Sequence, residues 1–166
     1  MDISIRWLIK MDMPQILGID QQSFSRTWDE EQFISHLKQR NNIGMVAHSG
    51  SKIIGFMIYE LSPKELILHR ITVHPDHRRE GVGRALIEKL VSKLSIEKRV
   101  RIETLVPEDS LSSQLFFRDM GFRATCIVED LTEEGQEIVE YAMQYSLNPI
   151  IMAPANRVAQ HFKELE

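Results

Sequence analysis

Residues Arg78-Arg79-Glu80-Gly81-Val82-Gly83-Arg84 combine three cations with two glycines at the mouth of an apolar, helix-patterned run. The apolar run Ile71-Thr72-Val73 precedes them and reads as the end of a strand. A strand, a polar turn and a glycine-opened helix leave successive backbone N–H groups pointing outward. Those donors and the helix dipole favour an anion, a pyrophosphate above all. Two readings stay open on composition: a phosphate cradle, or a tight turn flanked by solvated arginines. A dinucleotide fingerprint is excluded because the third glycine of GxGxxG is missing, and the P-loop lysine is missing too.

Other reactive side chains are sparse. His74 and His77 stand three apart beside Asp76, but no second ligand cluster accompanies them, so no metal site is expected. Cys126, the only cysteine, cannot form an internal disulfide and reads as a core strand residue.

The elements that must position the loop follow from hydrophobic period. Residues 3–9 suit a first strand. Asp12 is placed to cap a helix with Pro14 in its first turn, and Thr27 and Glu30 have capping-box spacing for a second helix ending near Arg40. Residues 44–49 and 53–61 form a hairpin around Ser49-Gly50-Ser51-Lys52, and residues 66–73 form another strand. Residues 81–94 are helical, 100–106 extended, and 110–120 helical with Gly121 as the left-handed stop. Residues 122–128 and 138–147 make a final strand pair around Thr132-Glu133-Glu134-Gly135. The order predicts an α/β (α+β) fold: a mixed, mostly antiparallel sheet with a central β-α-β crossover. Residues 1–147 form one expected domain. Residues 148–166 form an extension, with a short helix over 155–165 led by Pro154.

At 166 residues, 43% apolar and 27% charged, the chain has the composition of an ordinary globular domain. Its net charge of −4 and lack of a basic run argue against general nucleic-acid binding. No stretch has signal-peptide or membrane-spanning character, so a cytoplasmic protein with no membrane partner is expected.

With the elements placed, Arg78-x-x-Gly81-x-Gly83 after Thr72-Val73-His74-Pro75 resembles the coenzyme-A-binding signature of the GNAT acetyltransferases. The likeness extends to the element order, to Phe24 and Trp28 before the second helix, and to Leu115-Phe116-Phe117-Arg118-Asp119-Met120-Gly121-Phe122. It covers about residues 3–147 and is greatest to the ribosomal-protein alanine N-acetyltransferases. The resemblance implies acetyl-CoA as co-substrate and a primary amine as acceptor, either a protein N-terminus or a small molecule. It implies that backbone groups of Ile71, Thr72 and Val73 pair with the pantetheine arm, and that the stretch Arg79, Glu80, Gly81, Val82, Gly83 and Arg84, with Arg78, holds the pyrophosphate. In this family the strand of Ile71–Val73 and the next one splay apart, and the N–H of Val73 would face the thioester carbonyl as oxyanion donor.

The proton-moving positions depart from the family. Counting back from Gly121-Phe122, the family's asparagine falls on Ser110, its tyrosine acid on Phe117 and the subfamily's glutamate base on Leu105. Phe117 cannot donate a proton and is expected to pack on the cofactor; Ser110 either contacts the cofactor or caps a helix. Glu103, two residues before Leu105 on the same strand face, is the first candidate base; the competing reading is a surface carboxylate paired with Arg101. His69 is the second candidate base, by its ordinary pKa. Tyr141 either lines the acceptor pocket or packs half-buried on its strand. Two functions follow: an N-acetyltransferase working by direct attack, or a non-catalytic acyl-CoA-binding or sensing module. A homodimer is compatible with either.

Overall fold

The computed structural model describes residues 1–148; the expected helix over 155–165 lies outside the described residues. The strands are β1 (Ser4–Trp7), β2 (Asn42–Ser49), β3 (Lys52–Leu61), β4 (Glu65–Val73), β5 (Arg101–Pro107), β6 (Arg123–Leu131) and β7 (Glu137–Ser146). The helices are α1 (Met13–Ser23), α2 (Glu30–Lys38), α3 (Val82–Val91) and α4 (Leu111–Asp119). The strands hydrogen-bond in the order β1-β2-β3-β4-β5-β7-β6. Of these pairings, β1 with β2, β2 with β3, β5 with β7 and β6 with β7 are antiparallel. The expected mixed, mostly antiparallel sheet is thus present.

Contacts group the chain into two compact units. One holds Met1–Ser62 and Leu68–Lys93; the other holds Pro63–Ile67 and, among the described residues, those from Leu94 to Asn148.

In the first unit β3 is enclosed over seven consecutive residues, which explains its unbroken apolar run. Met13, Ile16 and Ile19 of α1 and Phe33 of α2 pack with Val46, Phe56 and Ile58 on one sheet face. Gly55, between Phe56 and Ile54, faces the other way. A Cβ there would stand 3.0 Å from Thr72 O and 3.1 Å from Val82 Cγ1, so only glycine lets α3 lie this close to β3 and β4.

The caps differ from the sequence expectation. Asp29, not Thr27, caps α2: its side chain accepts from Gln32 N while Gln32 Oε1 accepts from Asp29 N. Asp12 precedes α1 but makes no cap bond; its carboxylate binds Arg6 through two contacts of 2.7 and 2.8 Å and accepts from Ile9 N. A bidentate guanidinium is a stronger partner than a helix amide.

In the second unit β7 lies between β5 and β6. Its register sets Glu103 opposite Gln144, Leu105 opposite Ala142, and Val106 opposite Tyr141. Leu105 packs with Ile67, Cys126, Val128 and Ala142 on one face. On the other face, Phe117 of α4 meets Phe122 edge-on at 5.1 Å, and Phe122 meets Tyr145 at 5.7 Å.

Candidate active site

The glycine loop takes the conformation its residues favour. His74 N donates to Ile54 O (2.8 Å), and Pro75–His77 form a single 3-10 turn. Arg79 (φ 67°) and Gly81 (φ 86°) adopt left-handed backbone, and Gly81 caps α3. The first amides of α3, from Val82, have no carbonyl a turn earlier in the helix to bind. Arg79, Glu80, Gly81 and Arg84 are exposed at this end. This arrangement fits a phosphate group.

The arginines differ in role. Arg78 bends back, donating through Nε to Val73 O (3.2 Å) and through Nη2 to Ser23 Oγ (3.1 Å), which ties the loop to α1 and β4. Arg84 lies 4.0 Å from Glu88 one turn on, with both exposed. His77 Nδ1 lies 3.0 Å from Glu80, and His74 Nδ1 accepts from Asp76 N. Among the described residues no three His, Cys, Asp or Glu side chains are grouped to hold a metal ion.

The first unit also contains a polar cluster that sequence reasoning missed. Asp20, fully enclosed, receives Arg70 Nε (2.6 Å), Arg70 Nη2 (2.9 Å) and the backbone N–H of Trp28 (2.9 Å). The Arg70 guanidinium donates to Arg26 O and lies over the rings of Phe24 (4.0 Å) and Trp28 (4.7 Å). Trp28 in turn stacks on His36 at 4.2 Å. Burial, then the neighbouring His69 and Arg70, lower the pKa of His36. His69 Nε2 is hydrogen-bonded to Glu60 Oε2 at 3.0 Å, and its ring is 5.8 Å from that of His36. On the surface of α2 a cleft of about 330 Å³ is lined by Asp29, Glu31, Gln32, Ser35 and His36. The spacing of Asp20 and Arg70, fifty residues apart, carries no local signal.

In the second unit Glu103 is 2% exposed. Its Oε1 accepts from Gln144 Nε2 (2.8 Å) and lies 3.3 Å from Arg101 Nε; its Oε2 is buried without a partner. Arg101 also binds Glu65 at 2.9 Å. Burial, followed by the nearby Glu65 charge, pushes the Glu103 carboxyl up to about 7, while Arg101 and Gln144 pull it down. Both sequence readings of Glu103 meet here, since it pairs with Arg101 and is nonetheless enclosed.

The remaining candidates lie elsewhere on this unit. Tyr141 lines a cleft of about 430 Å³ with Leu111, Leu115, Arg118 and Met143 of α4 and β7. It is three residues before Gln144 on β7, so it projects from the face opposite Glu103. Ser110 sits at the N-cap of α4 but makes no side-chain cap bond; its hydroxyl donates to Ser113 Oγ at 2.8 Å. Phe117 is 5% exposed within the aromatic cluster.

Comparison with known proteins agrees with this architecture. The family model described as "Acetyltransferase (GNAT) domain" matches residues 40–124. The chain is 27% identical over 128 residues to the ribosomal protein bS18-alanine N-acetyltransferase of Escherichia coli, covering 76% of this chain and 86% of that protein. A crystal structure of the Escherichia coli ribosomal-protein alanine N-acetyltransferase superposes with a TM-score of 0.77 at 25% identity, covering 93% of this chain and 98% of that one. Arabidopsis thaliana NAA60 in complex with acetyl-CoA shares the fold, with a TM-score of 0.73 at 15% identity over 88% of this chain and all of that one (100%).

Proposed function

Because the chain belongs to the GNAT acetyltransferase family, it is an acetyl-CoA-dependent N-acetyltransferase, and we propose that its acceptor is a protein N-terminus and its general base Glu103. The observation that carries the mechanism is the enclosed Glu103 carboxylate with one oxygen left without a partner. A base whose pKa lies near 7 is matched to work at neutral pH.

The coenzyme's pyrophosphate rests on the amides of Arg79–Arg84, with Arg78 bracing the loop from behind. Its pantetheine arm pairs with the backbone of Ile71, Thr72 and Val73. The acceptor arrives as an ammonium; its N–H bond breaks as Glu103 Oε2 takes the proton. The freed electron pair attacks the thioester carbonyl, and the Val73 N–H donates to the developing oxyanion. Collapse expels the thiolate, and the attacking nitrogen gives up its second proton, which solvent carries to the thiolate because Phe117 has no proton to give. His69, fixed on Glu60, is the other candidate base, whereas Tyr141 faces the cleft beside α4, away from Glu103.

Two supports favour a protein N-terminus. The curated relative acts on the alanine of a ribosomal protein, and the α2 cleft is lined by Asp29 and Glu31, suited to a cationic chain end. A cytoplasmic enzyme is the reading in keeping with the ribosomal-protein substrate of that relative.

The test is thiol release from acetyl-CoA with alanine-first peptides, free and N-blocked, beside small amines. Release with free peptides alone is expected. Coenzyme binding with no release across the panel would restore the non-catalytic reading. Glu103→Gln should lower kcat/KM roughly 10²–10⁴-fold, the usual span for a general base, and remove the acid limb of its pH profile.

A further inference from the structure

Gln144 is fully buried, yet only half of its amide is satisfied. Its Nε2 donates to Glu103 Oε1 at 2.8 Å, while its own Oε1 has no partner. Packing alone is met better by an apolar side chain, because a buried acceptor without a donor carries a desolvation penalty. What the amide contributes is therefore its N–H.

That donor acts on one oxygen only. Gln144 and Arg101 both engage Glu103 Oε1 and leave Oε2 enclosed and unpartnered. A carboxylate free to rotate about its last torsion exchanges its oxygens; one held by a directional amide does not. We propose that Gln144 is the positioning residue of the catalytic base: it pins Glu103 Oε1 so that Oε2 is the oxygen that receives the acceptor's proton. The inference rests on Glu103 being the base. Gln144 itself exchanges no proton.

The electrostatic surroundings give the sign of the test. Glu103 is faced by Arg101 on its own strand, by Glu65 from β4 and by Gln144 from β7. On β6, Arg123 stands opposite Gln144 in register and is exposed. Gln144 donates to the ionised form of Glu103 and so stabilises it. Removing that donor shifts the carboxyl upward and moves the acid limb of kcat/KM to higher pH.

The experiment compares Gln144→Met, which keeps the shape and removes the donor, with Gln144→Glu, which adds a like charge. In both variants the acid limb is expected to move up by about half a pH unit or more, with KM for acetyl-CoA unchanged. Gln144→Met removes an unsatisfied oxygen but also a donor from a buried carboxylate, so the melting temperature of each variant is measured across the pH range before its limb is read. Added to Glu103→Gln, Gln144→Met should change the profile no further. Should Gln144→Met fail to fold, the near-isosteric Gln144→Glu decides. Limbs that stay at the parent pH in the folded variants would overturn the proposal. A normal limb in Glu103→Gln would overturn the base assignment and the proposal together, and so separates the two failures.

Discussion

Single residues in this protein are held by partners far away in sequence. Arg70 is the clearest case: two bonds to the enclosed Asp20, one to Arg26 O, and the faces of Phe24 and Trp28. It closes the segment between α1 and α2, which also carries the Trp28–His36 stack. Arg70→Met would leave Asp20 as a buried, unpaired carboxylate, and the expected loss is about 3–5 kcal/mol of stability. Urea titration of the two proteins checks it; a loss below 1 kcal/mol would mean that Asp20 finds another donor. Local sequence could not reveal this pair, nor the one between Glu103 and Gln144, because each meets only through the fold. The cap of α2, by contrast, has a local signal that corrects the Thr27 expectation. Taking Asp29 as N-cap puts Trp28 before the helix and Phe33 in its second turn, and their rings meet at 5.1 Å. That hydrophobic staple distinguishes Asp29-x-x-Gln32 from the overlapping Thr27-x-x-Glu30, which has Arg26 and Glu31 in those places.

At the scale of elements, the fold is legible in the sequence where period and glycine agree. The strand before residue 74, the turn and α3 are each announced by local chemistry, and Gly81 takes the positive φ its position requires. The depth of packing carries no such local signal. Gly55 lies inside a strand, where glycine usually weakens the pattern, and its purpose appears only when α3 is seen against it. The same geometry makes the loop testable. No neighbouring atom lies within 4 Å of a Cβ built on Gly81, so Gly81→Val meets backbone strain rather than a clash. At φ 86° that strain is on the order of 1–2 kcal/mol, and the loop relaxes away from its anion-binding form. Calorimetric titration should show acetyl-CoA affinity falling about tenfold or more, equivalent to about 1.4 kcal/mol or above. The fold should survive, since Gly81 is exposed. Unchanged affinity would remove the loop from coenzyme binding.

For the molecule as a whole, the candidate base couples chemistry to stability. Glu103 ionises at about 7 in the fold against 4.5 for a free carboxyl. Between those values the folded chain keeps a proton that the unfolded chain has lost, so stability falls as pH rises through this window and levels off above it. The full shift corresponds to roughly 3 kcal/mol, taken as an order of magnitude. Glu103→Gln has no such titration, keeps a side chain of nearly the same shape and can still accept from Gln144. Its stability relative to the parent should therefore rise by up to about 3 kcal/mol between pH 5 and pH 8, even as its activity drops. Paired denaturation curves at those two pH values measure the difference, and parallel behaviour would mean that Glu103 is already ionised in the fold near pH 5. A gain in stability that accompanies a loss of rate is what a buried carboxylate kept for proton transfer should give. A carboxylate kept for structure would lose both.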